Sequence, residues 1–398
     1  MEGSLFGLRV LDLGLTIPAS YCTAVMAGLG AEVIKIEPPE GDPSRREGPF
    51  LGDNPHPEKS GLFLYTNQGK KSVTLNLAID TGRRMFLQLL ASTDVVVESF
   101  DPGYLAGLGL GYPTLEAANP GVVLVSITPF GQDGPYKNWQ GNELVDYALS
   151  GQLYGMGDPD KEPLKTGGSV TQFYGGQMAF NAALTAVLCR GLTGDGQHVD
   201  VAITEAIASM VEHNTTAYAY SGQTTMGRSS EQSRGGAQGQ YLCQDGYVQI
   251  TPGQGESTMD HLAQIMDLPE LLDPRFATRE GRIEHKAEID RLIQPWLSRH
   301  TKLEIYQMGQ ERRLQFGYGC TAEDLVNSPQ FQDREYFVEV DHPIAGTLRY
   351  PGAPFKLSDT PWQAQRAPLL GEHNDEVYCG RLGYTKAQLT ILRTYGAI

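Results

Sequence analysis

Short unbroken apolar runs alternate with small-residue and amphipathic stretches along the first half of the chain. Leu8-Arg9-Val10-Leu11-Asp12-Leu13 predicts a buried strand. Residues 19–29 are small and apolar and predict a helix ending near Gly30. Glu32-Val33-Ile34-Lys35-Ile36-Glu37 predicts the next strand, closed by Pro38-Pro39. Strand, helix and strand in close succession form a βαβ unit, which implies a parallel sheet. Further strands are expected at 72–77, 94–100, 122–127 and 196–203, with helices at 83–90, 143–150 and 204–212.

The stretch Pro163-Leu164-Lys165-Thr166-Gly167-Gly168-Ser169-Val170-Thr171-Gln172-Phe173-Tyr174-Gly175-Gly176 reads as an extended, turn-rich run. A small-residue helix is expected after it, at 178–188. Glycines just ahead of a helix let a ligand approach the backbone, and free N–H groups there favour anions. A tight loop packing a helix onto a sheet explains the same pattern. Beyond it, Thr, Ser, Gly and Gln dominate from 215 to 240, which reads as a linker. Within it, Gly235-Gly236-Ala237-Gln238-Gly239 is either a mobile loop or a simple connector. A hairpin is expected over 241–251, turning at Gln244-Asp245-Gly246. Residues 256–313 are charged and helical in pattern. Strands return at 346–351 and 355–358, and a helix closes the chain at 387–395. The expected organisation is α/β: a large domain over 1–214, a linker and smaller α+β domain over 215–329, and a return to the large domain over 330–398.

Composition narrows the function classes. The chain has 398 residues, 40% hydrophobic and 20% charged, ordinary for a globular protein. Its net charge of -16 argues against general nucleic-acid binding. No apolar run is long enough to span a bilayer, and Met1-Glu2-Gly3-Ser4 does not open a secretory signal. The five cysteines are scattered, with no paired spacing that suggests a disulfide framework or zinc site. A reduced cytoplasm is the expected location.

The first strand-to-helix turn holds Gly14-Leu15-Thr16-Ile17-Pro18, so no dinucleotide fingerprint is present. Nucleophile-elbow, P-loop and zinc-protease motifs are absent as well. Lys70, Lys71, Arg45 and Lys137 stand near expected strand ends, where open α/β sheets bind ligands. Solvated surface charge is their alternative reading. His198 and His373 read as structural. Glu143 and Asp146 share one face of a helix start, a place that favours acids for electrostatic reasons alone.

Gly7-Leu8-Arg9-Val10-Leu11-Asp12-Leu13, Gly30-Ala31-Glu32-Val33-Ile34-Lys35-Ile36-Glu37 and Lys70-Lys71-Ser72-Val73-Thr74-Leu75 together carry a resemblance. Phe130-Gly131-Gln132-Asp133-Gly134-Pro135-Tyr136, residues 194–200 and Leu369-Leu370-Gly371-Glu372-His373 extend it from end to end. The chain resembles the class III CoA-transferases (the CaiB/BaiF family). The resemblance implies a Rossmann-like large domain, a smaller domain and an interlocked-ring dimer, with coenzyme A or acyl-CoA as substrate and no tightly bound cofactor or metal. In such enzymes an aspartate attacks the acyl-CoA thioester, forming an acyl anhydride and then an aspartyl–CoA thioester. That aspartate falls on Gln172 here, and the histidine of racemase members falls on Asn142. Other transferase positions fall on Leu15, Ile17, Ser99 and Gly107. Lys70, Phe100, Lys137 and Glu143 are retained.

The implied function is a CoA-transferase subunit moving CoA between an acyl-CoA donor such as succinyl-CoA and a carboxylic acid. Its nucleophile would come from a paralogous partner, in a heterodimer or heterotetramer. The alternatives are a CoA-thioester enzyme using another acid such as Glu143 or Asp146, and a non-catalytic acyl-CoA-binding protein.

Overall fold

The computed structural model describes residues 3–157, 161–210, 212–222, 224, 236–251 and 258–398. The chain divides into two compact units. The first comprises Met1–Leu153, Lys165–Glu212 and Asp333–Ile398, and the second Tyr154–Leu164 and His213–Gln332.

The first unit opens with β1 (Arg9–Asp12), α1 (Pro18–Gly28) and β2 (Glu32–Glu37). It continues through α2 (Gly61–Thr66), β3 (Lys71–Thr74), α3 (Asp80–Leu90) and β4 (Val95–Glu98). Then come α4 (Tyr104–Gly107), α5 (Tyr112–Ala118), β5 (Val123–Thr128), α6 (Glu143–Leu149), α7 (Val170–Thr193), β6 (His198–Ala202) and α8 (Ile203–Ala208). The strands form one sheet in the order β3-β2-β1-β4-β5-β6, and every neighbouring pair is parallel.

Successive side chains along each strand serve opposite faces. Leu11, Ile34, Val96 and Leu124 pack with Met85, Phe86 and Leu89 of α3. Val10, Val33, Val95, Val97 and Val123 pack with Met26 of α1 and with Phe180 and Ala183 of α7. Burial on both faces is why these strands read as continuous apolar runs.

α7 departs from expectation. It begins at Val170, so Gln172, Gly175 and Gly176 lie inside the helix rather than ahead of it. Both glycines serve close packing. A Cβ on Gly176 would lie 2.5 Å from the Pro18 carbonyl oxygen, and one on Gly175 would lie 2.9 Å from Ile203 Cγ1. α2 was not anticipated; the Ser60 hydroxyl accepts from the Phe63 N–H and caps it.

The second unit carries α9 (Glu212–Ser221) at its start, so part of the expected linker is helical. β7 (Gly239–Leu242) and β8 (Tyr247–Ile250) form the expected hairpin, with β9 (Gly317–Tyr318) added beside β8. Gly235 lies outside the described residues. Ala237 is buried, and its N–H donates to Asp290 at 3.2 Å. The helical stretch is divided into α10 (Thr258–Met266), α11 (Arg279–Glu284), α12 (Lys286–Leu297) and α13 (Lys302–Glu311). Turns opening at Pro269 and Pro274 interrupt it, because proline breaks the i to i−4 ladder. α14 (Ala322–Asn327) and α15 (Pro329–Asp333) complete this part.

The chain then forms an antiparallel pair, β10 (Phe337–His342) and β11 (Gly346–Pro351), and α16 (Lys386–Thr394). Residues 355–358, expected as a strand, join no sheet. Pro351 and Pro354 ahead of them remove two ladder donors. Among the described residues no helix is long and apolar enough to cross a membrane.

Candidate functional site

The order of the sheet places its switch point between β1 and β4. In open α/β sheets the crevice beyond the strand C-termini at such a point receives ligands. Here it holds Leu13, Gly14 and Leu15 after β1, and Ser99 and Phe100 after β4. The Leu15 N–H donates to Ser99 Oγ at 3.1 Å, tying the two loops together. A cavity of about 310 Å³ lies beside them, lined by Leu13, Leu15, Ile36, Pro38, Leu75, Phe100 and Tyr104 among others. The Phe100 and Tyr104 rings sit 4.7 Å apart on its wall. No lysine or arginine is among its described lining residues, and Glu40 is its one acid.

The expected cations lie elsewhere. The Lys70 ammonium is buried and donates to Asp12 Oδ2 (2.8 Å), the Ser20 carbonyl (2.7 Å) and Asn67 Oδ1 (2.8 Å). An ammonium has three hydrogens, so all are engaged. Lys35 pairs with Asp42 at 2.8 Å and donates to the Gly14 carbonyl at 2.8 Å. Burial works against the Asp12 charge, but Lys35 and Lys70 outweigh it and hold its carboxyl below the ordinary range. Burial pushes Lys70 down to about 8.

Arg45 is also buried. It grips Glu37 with two bonds of 2.7 and 2.8 Å, reaches Glu58 at 2.7 Å and stacks 3.6 Å from the centroid of Phe63. Lys137 is exposed, in the loop after β5, and follows Tyr136, whose ring stacks on that of Trp139. Lys71 is half-exposed and joins Glu32 and Glu376. The structure therefore brings Phe100 to the crevice, buries Lys70 and Arg45 in ion networks, and leaves Lys137 on the surface.

The start of α7 is the second centre. Asn142 caps α6, its side-chain oxygen accepting from the Leu144 and Val145 N–H groups, each at 3.0 Å. Glu143 faces the first turn of α7. Its carboxylate accepts from the Thr171 N–H at 3.0 Å, the Thr171 hydroxyl, the Gln172 N–H at 3.4 Å and Lys165 Nζ at 3.1 Å. A carboxylate at the start of a long helix satisfies orphan N–H groups and the dipole together. The helix-end anion site expected from the glycine run is thus filled by the chain's own acid.

Gln172 is half-buried, and its Nε2 donates to Asp146 Oδ2 at 2.8 Å. Asp146 is fully buried, and its Oδ1 has no hydrogen-bond partner. Burial, and then the Glu143 charge, push its carboxyl up to about 7. The Gln172 amide orients this carboxyl by donating to it, and the carboxyl, near its titration point, is the group that can exchange a proton. The uncharged amide cannot itself open a thioester.

The histidines are structural. His198 Nε2 bonds Ser126 Oγ at 2.9 Å, and its ring stacks on Tyr112. His373 Nδ1 accepts from the Ser72 N–H at 3.2 Å. Glu98, which the sequence reading passed over, is buried on β4. Its carboxylate accepts from the Phe100 N–H at 2.6 Å, and burial raises its carboxyl to about 7. Its only signal was an acid at the end of a run of valines.

Comparison with known proteins bears on this geometry. The chain is 32% identical over 389 residues to succinyl-CoA–D-citramalate CoA-transferase of Chloroflexus aurantiacus, covering 97% of this chain and 96% of that one. It is 31% identical over 405 residues to succinyl-CoA:(R)-benzylsuccinate CoA-transferase subunit BbsE of Thauera aromatica, covering 98% and 97%. A CAIB/BAIF family protein from Brucella suis superposes with a TM-score of 0.86 at 27% identity, over 96% of this chain and all of that one. The profile of CoA-transferase family III matches residues 5–374, and the chain belongs to that family.

Proposed function

We propose that this chain is a subunit of a CoA-transferase moving CoA between an acyl-CoA donor such as succinyl-CoA and a carboxylic acid, and that it lacks the nucleophile. The observation that carries this reading is the Gln172 amide held on Asp146. It stands where the family resemblance puts the attacking aspartate, and it offers no anion. Glu143 is no substitute, because it caps α7 and pairs with Lys165. Two relatives bear succinyl-CoA in their names, and one is described as a subunit.

On this reading a paralogous partner supplies the aspartate in an interlocked cytoplasmic heterodimer or heterotetramer. Gln172 marks an inactive copy of the reaction centre. The strand-end cavity with Phe100 receives part of the CoA, Lys137 meets its phosphates from the surface, and Lys70 and Arg45 hold the crevice in shape from below.

The test is to incubate the purified chain with succinyl-CoA and carboxylic acids, alone and co-expressed with a paralogue bearing Asp at the position of Gln172. Transfer and a covalent CoA adduct are expected only in the pair, with the adduct on the paralogue. Transfer by this chain alone, or an adduct on it, refutes the reading. A second reading rests on the Asp146 carboxyl, pushed up to about 7: a CoA-thioester enzyme using acid–base chemistry. Turnover by the isolated chain that Asp146→Asn abolishes would favour it.

A further inference from the structure

Glu98 is a buried acid that the transfer reading leaves without a task. It closes β4 at the switch point and is 4% exposed. Side chains two apart share a strand face, so Glu98 lies on the face of Val96, which packs with α3. The sheet register sets Ser126 of β5 beside it and Asp200 of β6 beyond, a polar row across three strands. The Ser126 hydroxyl hydrogen-bonds the Glu98 carboxylate and lies 2.9 Å from His198 Nε2. A hydroxyl has one hydrogen, so with Glu98 ionised His198 donates to the Ser126 oxygen. The Glu98 carboxylate also turns back along its own chain and accepts from the Phe100 N–H at 2.6 Å.

The surroundings of Glu98 bring no cation to it. Asp200 is its recorded charged neighbour and opposes ionisation. Leu13 follows β1 alongside, and Met85, Phe86 and Leu89 of α3 face this side of the sheet, none of them charged. α5 brings the Tyr112 ring, stacked on His198. Asp101, after Phe100, and Glu40, on the cavity, are exposed acids. Burial first, and then Asp200, raise the Glu98 carboxyl to about 7. A buried carboxyl without a cation is a costly acceptor for one N–H, and it makes that bond depend on a proton.

The bond matters because of what Phe100 does. Its ring and that of Tyr104 wall the strand-end cavity. Ser99, between Glu98 and Phe100, ties the loop to Leu15. We propose that Glu98 is a positioning residue for the crevice: as a carboxylate it holds the Phe100 peptide and so the ring on the cavity wall, and on taking a proton it lets that wall relax. The hold on Phe100 stands on this geometry alone. Its use by CoA rests on the transfer-subunit reading. A guest that needs the wall in place then favours the carboxylate, and its binding releases a proton.

NMR and calorimetry on the full chain test this. Ser-Phe occurs once in the sequence, at 99–100, so carbonyl-labelled serine with nitrogen-labelled phenylalanine singles out the Phe100 amide. In the ligand-free chain its N–H signal should move downfield as pH rises, with a midpoint near 7. The nuclear Overhauser contact between the Phe100 and Tyr104 rings should strengthen along the same curve. A merely structural acid would not move it. Glu98→Gln should flatten both. Ser126→Ala removes a hydrogen bond that favours the carboxylate and should raise the midpoint by about 0.5–1 in pH. CoA affinity should rise by about 3–10-fold across the same interval, the difference between a neutral and a charge-assisted bond, and stay level in Glu98→Gln. A Phe100 amide that does not titrate, a midpoint unmoved by Ser126→Ala, or a ring contact independent of pH would each overturn the proposal. Both NMR curves with a level CoA affinity would uphold the Glu98 hold and remove CoA from this cavity.

Discussion

The polar cluster beneath α1 and the one at the head of α7 use the same kinds of side chain to opposite ends. Under α1, Asp12, Lys35, Lys70 and Asp42 balance in charge, and every Lys70 hydrogen has an acceptor. Between α6 and α7, Lys165 pairs with Glu143, Asp146 pairs with no cation among the described residues, and one Asp146 oxygen stays without a hydrogen bond. The first cluster fixes the β1–α1 turn. The second holds Gln172 in place without neutralising its own acids. A cation near a strand end is therefore no guide to ligand binding unless its hydrogens are free, whereas an incompletely satisfied acid is a better pointer.

Three variants probe that contrast, from the largest expected effect to the smallest. Lys70→Met leaves Asp12 buried with Lys35 as its remaining cation, 3.7 Å away. Removing one member of a buried pair costs about 3–5 kcal/mol, read from the urea midpoint at constant m-value. A loss under about 1 kcal/mol, the range of an exposed pair, would erase the distinction between the clusters. Glu143→Gln keeps the shape of the cap but loses its charge at the start of α7 and toward Lys165. A loss of about 1–2 kcal/mol is expected, and a neutral result would show that α7 needs no anion.

Asp146→Asn acts through pH. The carboxyl of Asp146 sits near 7 against an ordinary 3.8. The native state thus keeps a proton that the unfolded chain releases first. Stability from this group is present at acid pH and is lost as pH rises across that window. Asn cannot titrate, so the variant's stability should fall less steeply than that of the unsubstituted chain. Glu98, also raised to about 7, keeps part of the slope in both. Urea midpoints at several pH values between those limits decide it, and parallel curves would place the Asp146 carboxyl in its ordinary range.

Much of the sheet was legible because burial on both faces writes strands such as Val95-Val96-Val97 as unbroken apolar runs. The start of α7 was not. Val170, Thr171, Phe173 and Tyr174 are weak helix formers, followed by two glycines. Tertiary contacts, the Glu143 cap and the close approach of Pro18 override that local preference. Family resemblance singled out Gln172, but its pairing with Asp146 spans 26 positions and leaves no periodic trace. Lys70 and Arg45 were visible as cations. Their burial was not, because a surface lysine and one inside an ion network look alike in sequence.

The Glu143 carboxylate at the head of α7 behaves as a tethered competitor. Held by the same fold, it meets the helix N–H groups at an effective molarity that a dissolved phosphate or carboxylate does not match. An acidic metabolite reaching this chain therefore finds the positive pole of its longest described helix already taken, and must be caught by a side chain that still has hydrogens to give.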